Sequence, residues 1–246
     1  MKIAEGIAEI LSEFKQAAIK LGPLPADEVF CEAWQKRIAA GEPALTAEDF
    51  PMQVAASLLS DAIALWEKKS LTTSVTEALI ANYLSDQTVS DAWHEYDILP
   101  ERGNAYVHLA CQTALARTAT AVTSALSTAE WTKEHCPVCG AVPMLACIEG
   151  ENGQRKLVCG ACLTRWRYKR IGCTFCKEEQ PEQIKILSAD ELPGWTASLC
   201  LTCRGYLKTA DLRQMATPNS WQAAILESLP LDYAIANWLA DLESTN

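Results

Sequence analysis

Eight of the eleven cysteines form four Cys-x-x-Cys pairs in the C-terminal half: Cys136/Cys139, Cys159/Cys162, Cys173/Cys176 and Cys200/Cys203. Thiolate is a soft ligand, and four thiolates complete a tetrahedral shell around Zn2+ or Fe2+/Fe3+. Two residues between the cysteines let both sulfurs converge on one ion while nearby amides donate to them. Eight thiolates therefore predict two metal ions per chain, each held by four cysteines, with no open position for metal catalysis.

Sequential sharing, 136/139 with 159/162 and 173/176 with 200/203, leaves 19 and 23 residues between pairs. Zinc ribbons leave about 15–20. Cross-brace sharing, first with third and second with fourth, encloses longer loops, so the sequential arrangement is favoured. Gly140 follows the first knuckle, where glycine permits the positive φ that turns an amide toward sulfur. Leu163, Lys177 and Arg204 stand there in the other three knuckles, which predicts that this device operates in one knuckle of four. Cys31, Cys111 and Cys147 lie in helical or apolar runs and read as packing. His94, His108 and His135 read as bystanders beside so many thiols. A disulfide framework is the weaker reading, because an odd number of cysteines leaves one unpaired.

The elements that must position these cysteines change character along the chain. The first half carries helical stripes. Ile3, Ile7, Ile10, Leu11, Phe14, Ala18 and Leu21 form one, stopped by Gly22-Pro23. A second helix is predicted from near Asp27 to Gly41, burying Val29, Phe30, Ala33, Trp34 and Ile38. Thr46-Ala-Glu-Asp49 is expected to cap a third, whose apolar face is Met52, Ala55, Ala56, Leu59, Ala62, Ile63 and Trp66. Ser74-x-x-Glu77 reads as a capping box for a fourth. Asn104 is expected to cap a long helix reaching about Ser127. Two short helices, near Trp221–Leu229 and Leu231–Leu242, close the chain. After a junction at Thr128–Lys133 the helical period disappears. Strand-like runs replace it at Leu145–Ile148, Lys156–Val158, Trp166–Ile171 and Ile184–Leu187, with Glu149–Gly153 as a hairpin tip. The class is α+β: a helical domain over 1–130, four-cysteine modules over 131–171 and 172–215, and C-terminal helices over 216–246. Each module reads as a zinc ribbon or rubredoxin-like unit.

Net charge is −10 and is unevenly spread: −9 over residues 1–130, +3 over 131–215 and −4 over the tail. Each divalent ion with four thiolates carries about −2, which turns the metal region slightly negative. Nucleic acid is a poor partner for such a surface. No run reaches the roughly 18 apolar residues of a membrane span, and acids interrupt the first ten residues where a signal peptide is apolar. A cytoplasmic location with reduced thiols is expected. No nucleophile–base set or phosphate loop is visible, so an enzyme is not expected.

Cys136-Pro-Val-Cys-Gly-Ala-Val-Pro143, Arg155-Lys-Leu-Val-Cys-Gly-Ala-Cys-Leu-Thr-Arg-Trp166, Arg170-Ile-Gly-Cys-Thr-Phe-Cys176 and Cys200-Leu-Thr-Cys-Arg-Gly-Tyr-Leu-Lys208 together resemble the FdhE family, accessory proteins of formate dehydrogenase. The resemblance covers about 80 residues and is far more specific than the cysteine pairs alone. It implies a maturation factor that binds the catalytic subunit of a molybdenum or tungsten formate dehydrogenase. Two rival readings remain: a rubredoxin-like electron carrier, and a zinc-ribbon module for protein or nucleic-acid binding. The basic cluster Arg165, Arg167, Lys169 and Arg170 is expected where the two modules join. Alternation there sets Arg165, Arg167 and Lys169 on one face and Trp166, Tyr168 and Arg170 on the other.

Overall fold

A computed structural model describes residues 28–85, 93–218 and 220–244. The stripe from Ile3 to Leu21 and the side chains of Val29 and Phe30 lie outside them. The chain divides into two units, Met1–Arg37 with Ala44–Leu126, and Ile38–Pro43 with Ser127–Asn246.

Four helices build the described part of the first unit: α1 (Glu28–Ala39), α2 (Met52–Trp66), α3 (Thr73–Leu84) and α4 (Pro100–Ala125). Leu59 and Ile63 of α2, Ile80 of α3 and Val107 of α4 are fully buried in one apolar cluster. Trp66 stacks on Tyr106 with ring centroids 5.3 Å apart, and the Tyr106 hydroxyl donates to Glu67 Oε1 at 2.7 Å. Trp34 is buried as expected, whereas Ala33 is exposed.

Three helix starts differ from the sequence reading. The Thr46–Asp49 box closes a single 3-10 turn (Ala47–Asp49), with Asp49 Oδ2 accepting from the Thr46 amide at 2.7 Å. Pro51 then intervenes and α2 begins after it. Ser74 lies inside α3, which follows Thr72. Pro100 opens α4, because a proline in the first turn removes an amide that has no helical partner anyway. Asn104 is left inside the helix, where its Oδ1 accepts from Trp93 Nε1 at 2.9 Å. The buried Trp93 ring lies so close to Gly103 that a Cβ there would sit 2.3 Å from it.

The second unit is organised by one six-stranded sheet. Its strands are β1 (Pro143–Glu149), β2 (Gln154–Cys159), β3 (Arg165–Arg167), β4 (Ile184–Ser188), β5 (Trp195–Cys200) and β6 (Tyr206–Asp211), in the order β3-β2-β1-β6-β5-β4. Each half is an antiparallel three-stranded piece, and each repeats the order knuckle, hairpin, knuckle, strand. The halves join through β1 and β6, which run parallel from Leu145↔Lys208 to Ile148↔Asp211. This corrects the expectation about the basic run: β3 is an edge strand, it stops at Arg167, and the seam lies elsewhere.

Helices α5 (Trp221–Glu227) and α6 (Leu229–Ser244) cover an apolar patch of the sheet. Leu145, Val158, Trp195 and Ala210 of the strands form one cluster with Ala224 and Leu231 of the helices. The Ser220 hydroxyl caps α5 by accepting from the Ala223 amide at 3.0 Å. Lys208 Nζ and the Tyr206 hydroxyl both donate to the Asp232 carboxylate, at 2.7 and 2.8 Å. Among the described residues no helix is long and apolar enough to cross a membrane.

Candidate metal centres

Each Cys-x-x-Cys pair sits on the same local backbone. The amide of the first cysteine donates to the carbonyl five residues on: Cys136 to Ala141, Cys159 to Thr164, Cys173 to Glu178 and Cys200 to Gly205, at 2.8–2.9 Å. The residue after the second cysteine has positive φ every time: Gly140 at 75°, Leu163 at 60°, Lys177 at 65° and Arg204 at 60°. The device read from glycine alone is therefore present in all four knuckles. A left-handed residue with a Cβ costs roughly 1–2 kcal/mol. The closing hydrogen bond and the convergence of two sulfurs impose the conformation regardless of side chain.

This backbone turns amides toward sulfur. Val138 N donates to Cys136 Sγ at 3.4 Å, Ala161 N to Cys159 Sγ at 3.3 Å and Phe175 N to Cys173 Sγ at 3.3 Å. In the fourth knuckle Gly205 N reaches Cys203 Sγ at 3.4 Å. Such donors favour the charged thiolate over the thiol.

The eight sulfurs gather into two groups, Cys136/Cys139/Cys159/Cys162 and Cys173/Cys176/Cys200/Cys203, each with all Sγ atoms within 4.8 Å of one another. The knuckles are thus shared sequentially. In the first group Cys136–Cys162, Cys139–Cys159 and Cys139–Cys162 are each separated by 3.5 Å. In the second, Cys173–Cys203 and Cys176–Cys200 are 3.6 Å apart. A tetrahedron with ~2.3 Å metal–sulfur bonds has edges of about 3.8 Å, whereas a disulfide needs about 2.05 Å. The spacing fits four ligands around one ion in each group, and every described cysteine is a free thiol. Such a set suits zinc and iron alike.

The groups differ in surroundings. Cys136, Cys159 and Cys162 are buried and Cys139 is half-buried, while the Thr164 hydroxyl lies 3.1 Å from Cys162 Sγ. In the second group Cys173 and Cys200 are buried but Cys176 and Cys203 are exposed. Burial pushes the Cys136 thiol up, and hydrogen bonds from Cys136, Cys139 and Cys162 hold the Cys159 thiol down. An ion bound there would replace the thiol protons.

The remaining candidates fall outside both groups. Cys111 and Cys147 are buried and Cys31 is half-buried. The His135 ring packs edge-on against Trp131, His108 Nδ1 pairs with the Tyr83 hydroxyl at 2.9 Å, and His94 is exposed. Arg165 and Arg167 are exposed and Trp166 and Tyr168 buried, as alternation predicts, but Arg170 is exposed too. Arg165 is held by Glu149 at 2.8 Å, and Lys169 pairs with Glu179.

The sequence reading passed over Arg155. Its buried guanidinium donates from Nη1 to the carbonyls of Lys169 (3.4 Å) and Gly172 (3.3 Å), which tethers the loop leading into Cys173. Period-two alternation places Arg155 on the face of Leu157 and Cys159, and that was the available signal. Glu134 and Lys177, paired at 2.6 Å, make a second tie between the halves.

Residues 135–170 match the family FdhE, central domain. The chain is 35% identical over 94 residues to the protein FdhE homolog of Aquifex aeolicus (strain VF5), covering 36% of this chain and 33% of that one. It is 36% identical over 106 residues to the homolog of Stutzerimonas stutzeri (strain A1501), covering 42% and 34%. These matches span about a third of the relatives' length. The crystal structure of the FdhE protein from Pseudomonas aeruginosa superposes with a TM-score of 0.68 over 96% of this chain and 88% of that chain, at 24% identity, and so shares its fold. The likeness to FdhE proteins read from the cysteine motifs is thereby supported in both sequence and fold.

Proposed function

We propose that this FdhE-like chain is a metal-containing accessory factor that binds the catalytic subunit of a molybdenum or tungsten formate dehydrogenase and is needed for its activity, with no turnover of its own. In this reading Cys136, Cys139, Cys159 and Cys162 hold one ion and Cys173, Cys176, Cys200 and Cys203 another. The four-cysteine modules span 131–171 and 172–215, preceded in sequence by a helical domain over 1–130 and followed by the C-terminal helices over 216–246. The observation that carries it is that the stretch matching the FdhE central domain holds one four-sulfur group, and the strands that follow bring a second such group onto the same sheet. Eight sulfurs spent on closed shells leave the metal nothing to offer a substrate.

The exposure of Cys176 and Cys203 favours a second reading, an electron carrier. Deleting the gene and assaying formate dehydrogenase separates the two. A maturation factor leaves the enzyme's polypeptide present but inactive, and pull-down of the tagged chain recovers the catalytic subunit. Normal formate dehydrogenase activity in the deletion strain overturns the proposal.

A further inference from the structure

The two four-sulfur groups are alike in spacing and backbone but unlike in access, and the difference follows from where the knuckles lie. Beside the first group Trp166 is buried, and its Nε1 donates to the Lys133 carbonyl at 2.9 Å. Cys136 and Cys159 have no exposed surface, and Cys162 is 2% exposed. The Thr164 hydroxyl adds a side-chain contact to Cys162. In the second group the two buried sulfurs belong to the first cysteine of each knuckle, Cys173 and Cys200, and the second cysteines, Cys176 and Cys203, share an exposed edge. The nearby Thr202 hydroxyl turns away from sulfur and donates to Glu178 Oε2 at 3.0 Å. Phe175 and Leu201, from the same two knuckles, are 44% and 43% exposed beside that edge.

We propose that the second group is an exchangeable metal site and the first a permanent one. The inference rests on the reading that both groups hold metal. Ligand exchange at a four-coordinate ion proceeds by an incoming donor adding as a bound sulfur leaves. Its rate is set by whether the donor can reach the ion and whether the leaving sulfur has solvent to enter. The Cys176–Cys203 edge meets both conditions, whereas the first group offers solvent only the half-buried Cys139. At that edge one bond from the ion to an external donor, the sulfur of a thiolate or a carboxylate oxygen of an aminocarboxylate, would form as the bond to Cys203 or Cys176 breaks. The released thiolate takes a proton from water. Cys173 and Cys200 keep their bonds until a second donor arrives, so the ion is handed over stepwise. The flanking Phe175 and Leu201 give an apolar approach on which a thiol-bearing donor can settle.

The test uses the full chain loaded with zinc and counted for metal before anything is added. EDTA is then supplied with iodoacetamide, and released zinc and alkylated cysteines are followed together. One ion should leave at least tenfold faster than the other, with Cys176 and Cys203 alkylated in the fast phase and Cys136, Cys159 and Cys162 protected until the slow one. The C176S/C203S double variant should lose the fast phase and keep the slow one unchanged. Release of both ions at one rate, or fast alkylation of the first group, overturns this inference while leaving the two-ion reading intact. A starting count below two ions overturns that reading, and this inference with it.

Discussion

Leu145 and Lys208 face each other across the parallel ladder that turns two antiparallel halves into one sheet. Lys208 also continues inward: its ammonium, almost wholly buried, meets Asp232 of α6 at 2.7 Å. One residue therefore stands where the two cysteine-bearing halves and the C-terminal helix meet.

Asp232→Ala should lower the stability of the second unit by about 2 kcal/mol, because it strips a charged partner from buried Lys208 and from the Tyr206 hydroxyl. Urea unfolding followed by tryptophan emission measures this. The Tyr206 phenol, pushed up to about 12 by burial and then by its hydrogen bond to Asp232, should titrate lower in the variant, while burial still holds it above its ordinary value. A raised folded-state pKa means the stabilisation is complete below pH 10 and is lost as pH rises through about 12. The stability gap between parent and variant should accordingly narrow in that window. A gap constant up to pH 12 would assign no role to the phenol proton.

The shared knuckle backbone makes a paired prediction. Gly140→Ala puts a Cβ at positive φ and 3.0 Å from Pro43 Cγ, so it should destabilise the first module by about 1–2 kcal/mol. Leu163→Gly relieves the same strain at φ 60° and should stabilise the zinc-loaded protein, less the packing of a half-buried side chain. Thermal unfolding of the zinc-loaded variants should move Tm in opposite directions. Equal losses in both would show that side-chain packing outweighs backbone strain at this position.

The cysteine groups were legible because a two-residue spacing can converge on one ion and the hairpin gaps suit sequential sharing. Two strands, Trp195–Cys200 and Tyr206–Asp211, escaped notice because Thr, Ser, Ala and Lys dilute their alternation; the apolar face appears only once α5 and α6 lie on it. The seam was misplaced for a related reason. A parallel pairing between the first strand and the last is a long-range contact, and local pattern carries no trace of it. Helix starts failed where a capping signal was real but closed only one turn, as at Thr46, or where a proline began the helix without a polar cap, as at Pro100. Gly140 drew attention to the left-handed position of one knuckle, but the same conformation at Leu163, Lys177 and Arg204 goes with the closing hydrogen bond of the knuckle rather than with residue type.

The central claim is that two ions per chain are each bound by four cysteine sulfurs, and elemental analysis of the purified full-length chain tests it most directly. The parent should carry two equivalents of zinc or iron. Replacing Cys136 and Cys139 together with serine should leave one, and should loosen the β1–β2–β3 half, because folding of such modules is coupled to their metal. One equivalent in the parent, or an unchanged two in the double variant, would contradict the account.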